Sequence, residues 1–201
     1  TLKQKAESPS YEEYLQQYSD KNDAPAGATI KIQAENMYRK SDPSIYPTND
    51  RSSPNTEHIG EDGQTELNHA SKQRMNSVDG SKWKRSGEWV EWQIKVEQSG
   101  FYNIVFKARQ NTKNGSISYR RLLINGEVPF KEADNIGFTY NARWEMTPFQ
   151  NGDVTYKLYF EAGQTYTLRM ENTLGDMADI IRRVEESMTE LTRAYRMIHV
   201  L

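Results

Sequence analysis

Three histidines, no cysteine and 28 acidic residues are the material this chain has for chemistry. His58 and His69 lie in a polar stretch with Glu57, Glu61, Asp62 and Glu66 beside or between them, and His199 falls in a terminal helical pattern. The spacing matches no known metal-ligand motif, so a solvated loop is the favoured reading over a metal site. No Gly-x-Ser-x-Gly turn surrounds any serine, which leaves nucleophilic triad chemistry without support. The missing cysteines remove disulfides and thiolate metal sites together. A glycosidase needs only two carboxylates, which many pairings supply, but no motif singles out a pair. Catalysis is not expected.

Aromatic rings outside the strand patterns carry the stronger signal. Trp83, Tyr140, Trp144 and Phe149 lie in such segments, with Asn135, Asn141, Arg143 and Asn172 close to them or to strand ends. Rings that lie on patches of C–H bonds, rimmed by groups that bond hydroxyls, are what a saccharide requires. The competing reading is that Trp144 and Phe149 plug the end of the fold.

The elements that must position these residues are strands. Val90, Trp92, Ile94 and Val96 alternate with polar residues, the pair Ser99-Gly100 interrupts, and Tyr102, Ile104, Phe106 and Ala108 alternate again. This period of two predicts a hairpin with one buried face. Trp92 shares the core phase, while Trp89 points to the other face, exposed or covered by the terminal helix. A first strand is predicted over Ala28–Glu35, and others over Ser118–Ile124, Val154–Phe160 and Thr165–Glu171. Asn125-Gly126 and Ala162-Gly163 mark turns. The stretch from Asn36 to Ser81 lacks periodicity and reads as a long functional loop, partial disorder being the alternative. Closely spaced strands without helical patterns between them predict a β-sandwich.

Two helices flank these strands. Tyr11, Tyr14, Leu15 and Tyr18 have helical spacing after Ser10, with Glu13 placed for a capping box. Ile181, Val184, Met188, Leu191, Tyr195 and Ile198 recur at steps of three and four, predicting a C-terminal helix with a coiled-coil-like seam. That seam needs a partner: either the Tyr11–Tyr18 helix or a domain elsewhere in a larger polypeptide. The expected organisation is a helix and linker over 1–27, a sandwich over 28–176 and an amphipathic helix over 177–201.

Composition narrows the partners. With 35% hydrophobic residues and a mean hydropathy of -0.92, the core must be small and rich in aromatics, with long polar loops. Against 28 acidic residues stand 26 basic ones, a net charge of -2, which provides no field for steering to nucleic acid. No apolar run is long enough to span a bilayer. The start at Thr1 without a hydrophobic leader, and a helix running to the end without a stop signal, lead us to expect a fragment whose targeting signal lies outside it.

The order of these motifs resembles the carbohydrate-binding modules of families six and thirty-five. Gln33-Ala34-Glu35 matches their opening strand, Gly87 to Trp92 and Gly100 to Tyr102 the next two, and Asn125-Gly126 the turn that follows. Trp144 matches a loop tryptophan and Leu158 to Gly163 the closing run. More narrowly, Leu122 to Ala133, with the helix of Ser10 to Leu15 before the sandwich, is similar to domains attached to bacterial extracellular solute-binding proteins of sugar ABC transporters. The resemblance implies a mainly β, jelly-roll or galactose-binding-like sandwich that is non-catalytic and binds oligo- or polysaccharide. It implies a saccharide site of Trp144, Tyr46 and Asn172, to which the residues themselves add Tyr140 and Trp83. It also implies a structural calcium on Glu35 with Asp176 or Asp179, hard oxygen donors suited to that ion. An extracellular, bacterial cell-surface lipoprotein is the implied setting. The alternative is a structural or protein-contact sandwich whose terminal helices dock a neighbouring domain.

Overall fold

A computed structural model describes residues 8–53, 75–112 and 114–199. His58, His69 and the carboxylates around them lie outside the described residues, as does the side chain of His199. Along the chain come α1 (Tyr11–Gln17), β1 (Arg39–Lys40), β2 (Pro47–Thr48), β3 (Ser77–Val78), β4 (Trp89–Lys95), β5 (Gly100–Asn103), β6 (Val105–Ala108) and β7 (Ser118–Ile124). There follow β8 (Ile136–Phe138), β9 (Glu145–Pro148), β10 (Gln150–Asn151), β11 (Val154–Thr155), β12 (Lys157–Phe160), β13 (Thr165–Thr173) and α2 (Ala178–His199). The fold is a mainly β, antiparallel sandwich with two flanking helices. One layer is a five-stranded sheet in the order β1-β4-β13-β7-β8, and the pairs β5–β12 and β6–β9 face it.

The predicted hairpin at Ser99-Gly100 is a corner instead. β4 pairs with β13 and β5 with β12, in one continuous register: Lys95 faces Thr165, and five residues on Gly100 faces Phe160. The two chains form a single ribbon that leaves one sheet and enters the other. At the bend, Val96 N–H donates to Gln164 O (3.1 Å), Gly163 N–H to Val96 O (2.8 Å) and Ala162 N–H to Ser99 Oγ (2.8 Å). β4 and β5 pair with other segments rather than with each other. β1 and β13 flank β4; β12 and the segment Asn22–Ala24 flank β5, the latter through Phe101 N–H to Asn22 O and Ala24 N–H to Phe101 O (3.1 Å each). Gly100 makes this approach possible: its φ is +150°, and a Cβ there would lie 2.4 Å from the Ala24 backbone.

Apolar phases meet between the layers as the alternation predicts. Val90, Trp92, Ile94 and Val96 are buried with Leu122, Leu168 and Met170. Rings bridge the layers, Phe160 to Tyr166 at 4.9 Å and Phe106 to Phe138 at 5.6 Å. Phe149 is a core ring stacked on Phe130, whereas Trp144 is not part of the core cluster. The Asn125-Gly126 turn forms with both residues at positive φ, and Ile124 and Glu127 exchange both backbone bonds across it. The strand predicted over Ala28–Glu35 does not form. Trp92 Nε1–H binds Ala34 O (3.0 Å), a turn follows at Asn36, and the neighbouring edge of β4 goes to β1.

The helices have separate fates, against the expected pairing of the C-terminal seam with the Tyr11–Tyr18 helix. The Ser10–Glu13 capping box forms, and α1 buries Tyr11 and Tyr14 against Phe130 and Tyr156. Their hydroxyls accept the N–H groups of Lys157 (3.0 Å) and Tyr159 (2.9 Å), capping the free edge of β12 against further pairing. Burial pushes the Tyr14 phenol up to about 12, so it stays neutral. On α2, Val184, Met188, Leu191, Tyr195 and Ile198 are all exposed. Trp89 is covered by the Arg169 guanidinium, 4.0 Å from its ring and held by Glu91, rather than by α2. Among the described residues no helix is long and apolar enough to cross a membrane.

Gly100→Ala should cost about 3 kcal/mol in urea unfolding, since backbone must move to admit the methyl group. Gly163→Ala, whose φ is +78° but whose Cβ would meet nothing within 4 Å, should cost about 1 kcal/mol. Equal losses would contradict the corner.

Candidate functional site

Because both layers fold over one corner, the loops at the far end form a rim. There lie the start of β4, the end of β13, the start of β7, the end of β6 and the start of β9, as the ladder registers require. All five residues proposed for a saccharide come from segments at this end. Tyr46 lies between β1 and β2, Trp83 before β4, Tyr140 and Trp144 between β8 and β9, and Asn172 at the end of β13.

Trp83 and Asn172 meet at one carbonyl. Trp83 Nε1–H (3.0 Å) and Asn172 N–H (2.8 Å) both donate to Glu88 O. The Glu88 carboxylate accepts the backbone N–H groups of Lys84 (2.9 Å) and Arg85 (2.8 Å) and the Arg85 Nε–H (2.6 Å), which folds the loop back onto the strand. Burial resists its ionisation, but these donors and the Arg85 charge prevail and hold the carboxyl below its ordinary value. Opposite Asn172 in register stands Arg120, whose guanidinium lies 4.7 Å over the Trp83 ring. Its Nη1 donates to Ser118 Oγ and Tyr119 O, both at 2.9 Å. Burial pushes it down to about 10, so it remains protonated at neutral pH, and no carboxylate among the described residues pairs with it.

Asn172 is only 3% exposed, and neither its Oδ1 nor its Nδ2 has a hydrogen-bond partner; the Thr173 hydroxyl is equally unpartnered. A buried amide that no protein group, water or ligand satisfies costs roughly 1–3 kcal/mol. Arg120 was missed in the sequence, although its phase with Leu122 and Ile124 in β7 puts a charge on the apolar face.

Trp144 belongs to a second cluster. It stands across from Arg109, one step beyond the Ala108–Glu145 pair, and the guanidinium lies 5.0 Å over its ring. Asp50 Oδ2 accepts the Trp144 Nε1–H (3.2 Å) and pairs with Arg109. Its Oδ1 accepts the N–H (2.8 Å) and hydroxyl (2.6 Å) of Ser52. Asp50 lay in a stretch without periodicity and offered no signal. Tyr140 and Tyr46 are 40% and 44% exposed, the latter with Lys82 Nζ 5.2 Å over its ring. The remaining rim amides are engaged locally: Asn135 donates to Asp176 (3.0 Å), and Asn141 accepts the Arg143 N–H (2.8 Å).

A scan against protein-family models gives no match, and neither does a search of curated proteins. Among solved structures, the chain is similar to a family 35 carbohydrate binding module from Clostridium thermocellum, with 17% identity and a TM-score of 0.35, over 45% of this chain and 62% of that one. It is also similar to a cycloisomaltooligosaccharide glucanotransferase of Paenibacillus sp., complexed with cycloisomaltoheptaose, with 16% identity and a TM-score of 0.45, over 83% of this chain and 22% of that one. The chain thus spans less than two thirds of the length of either.

The carboxylates considered for calcium belong to separate segments, Glu35 before β1 and Asp176 and Asp179 after β13. Glu35 is buried. Asp176 already accepts the Tyr119 hydroxyl (2.8 Å) and the Asn135 amide, and Asp179 is exposed and paired with Arg182 (3.1 Å). Among the described residues no three His, Cys, Asp or Glu side chains cluster together.

Asp50 gives a pH signature. Burial resists its ionisation, but Ser52, the Arg109 charge and the Trp144 N–H together hold it below the ordinary aspartate value of 3.8. A depressed carboxyl stabilises the fold above its unfolded value, and that contribution disappears as pH falls through the folded one. The stability gap between wild type and Asp50→Asn in urea unfolding should be full at neutral pH and close as pH drops past 3.8. A gap that widens on acidification would contradict this network.

Proposed function

We propose that the chain is a non-catalytic carbohydrate-binding sandwich whose saccharide site is the rim opposite the corner. The unpartnered amide of Asn172 carries the reading. Its Oδ1 lacks a donor and its Nδ2 an acceptor, and both atoms are covered in the free chain, so the reading requires the rim to open locally, after which a hydroxyl supplies both. Saccharides offer hydroxyls beside C–H faces, and the same rim holds Trp83, Trp144, Tyr46 and Tyr140 to meet those faces. Arg120 adds donors from a fixed position. In its wider setting the sandwich is read as the sugar-capturing part of an extracellular bacterial solute-binding protein.

Calorimetry with cello-, xylo- and malto-oligosaccharides tests this. Asn172→Leu should abolish binding while raising stability by about 1 kcal/mol, because it replaces a buried amide that has no partner. Trp144→Ala should also abolish binding with the circular dichroism spectrum unchanged. Binding that survives Asn172→Leu, or a clear loss of stability in that variant, would sink the proposal.

The exposed seam of α2 favours a second role, docking onto a helical surface of the rest of a larger polypeptide. If that seam serves a partner rather than the sandwich, Leu191→Glu should leave the unfolding free energy of this chain within about 0.5 kcal/mol of wild type. A larger loss would show that the sandwich itself uses the seam.

A further inference from the structure

The Asp50 carboxylate does more than any single contact requires. One of its oxygens receives both the indole N–H of Trp144 and the Arg109 guanidinium that lies over that indole, so one atom sets the tilt of the ring and the place of the cation. Asp50 is itself fixed from both sides. Its N–H donates to Asn76 Oδ1 (2.7 Å), its carbonyl accepts the Asn76 Nδ2–H (2.9 Å), and its other carboxylate oxygen is held by Ser52. Ser52 Oγ in turn accepts from Arg109 Nη1 (2.6 Å). The other tryptophan–arginine stacks are built differently. Arg120 over Trp83 is tied to the backbone of its own strand, and Arg169 over Trp89 to Glu91, while those indoles make no bond to the group that holds the cation.

Trp144 lies outside the core cluster, so this network does not serve packing of the interior. Partly buried ion pairs add little net stability, yet a fully satisfied network fixes geometry closely. An aromatic platform that is already ordered before its ligand arrives avoids the cost of ordering it on binding. We infer that Asp50 and Arg109 are positioning residues which make Trp144 a one-sided platform, Arg109 closing one face of the indole and leaving the other to the saccharide. This rests on the rim reading above.

The test uses the whole chain labelled with 5-fluorotryptophan, the Trp144 resonance being assigned with Trp144→Phe, together with calorimetry on cellotetraose, xylotetraose and maltotetraose. Asp50→Ala should shift and broaden the Trp144 fluorine resonance while leaving those of Trp83, Trp89 and Trp92 in place, and weaken binding about tenfold. Asp50→Asn keeps an acceptor for the indole but loses the charge that holds Arg109, and should fall between. Arg109→Lys, which cannot reproduce the planar stack, should move the same resonance. If Asp50→Ala is too unstable to study, the Asn and Lys variants decide the matter alone. A Trp144 resonance indifferent to these changes overturns the positioning role. So does unchanged affinity in a chain whose binding is lost with Trp144→Ala. A wild-type chain that binds none of the oligosaccharides overturns the rim reading instead, while the fluorine spectra still report whether Asp50 holds the ring.

Discussion

The whole architecture depends on one antiparallel ribbon keeping its register from Trp89–Glu171 in the first layer to Asn103–Lys157 in the second. A ribbon that bends without slipping fixes three things at once. It sets which residues face inward in both layers, since a slip of one residue would turn every side chain over. It brings the layers together at a closed end, stitched by backbone bonds among Val96, Gly163 and Gln164. It also sends the start of β4, the end of β13, the start of β7, the end of β6 and the start of β9 to the opposite end, which is the rim. Gly100 is the place where this arrangement is most exacting, because the Ala24 backbone sits where a side chain would begin.

Closure elsewhere leaves the rim as the place where polarity is unresolved. The free edge of β12 is capped by two tyrosine hydroxyls from α1, and the outer face around Trp89 is satisfied by the Arg169–Glu91 pair. At the rim, by contrast, a protonated Arg120 stands without a carboxylate among the described residues and Asn172 without any partner. A sequence selected for stability alone would put an apolar residue at position 172, in line with Met170 and Leu168 on the same face.

Much of the sandwich was legible because alternation is local. Ser118–Ile124 has the predicted bounds, and β4 and β13 lie within two residues of theirs. What alternation cannot say is which strand pairs with which. The Ser99-Gly100 interruption reads the same for a hairpin and for a corner, and only contact with Asn22–Ala24 and β12 decides between them. The Ala28–Glu35 pattern is strand-like, but the segment meets β4 through the Trp92 indole at Ala34 O, while the β4 backbone pairs with β1 at Val90 and Glu91. At the site, the aromatics and Asn172 were visible as residue types near strand ends. Arg120 was visible in principle as a charge in an apolar phase. Asp50 was not, since it acts through Arg109 and Trp144, 59 and 94 residues away in sequence.

Mapping amide chemical-shift changes across the chain during titration with oligosaccharide tests the central claim most directly. The account predicts perturbations around Tyr46, Trp83, Tyr140, Trp144 and Asn172, with the corner at Val96–Gly100 and the helix α2 unaffected. Perturbations concentrated at the corner or on α2, or none with any oligosaccharide tried, would contradict it.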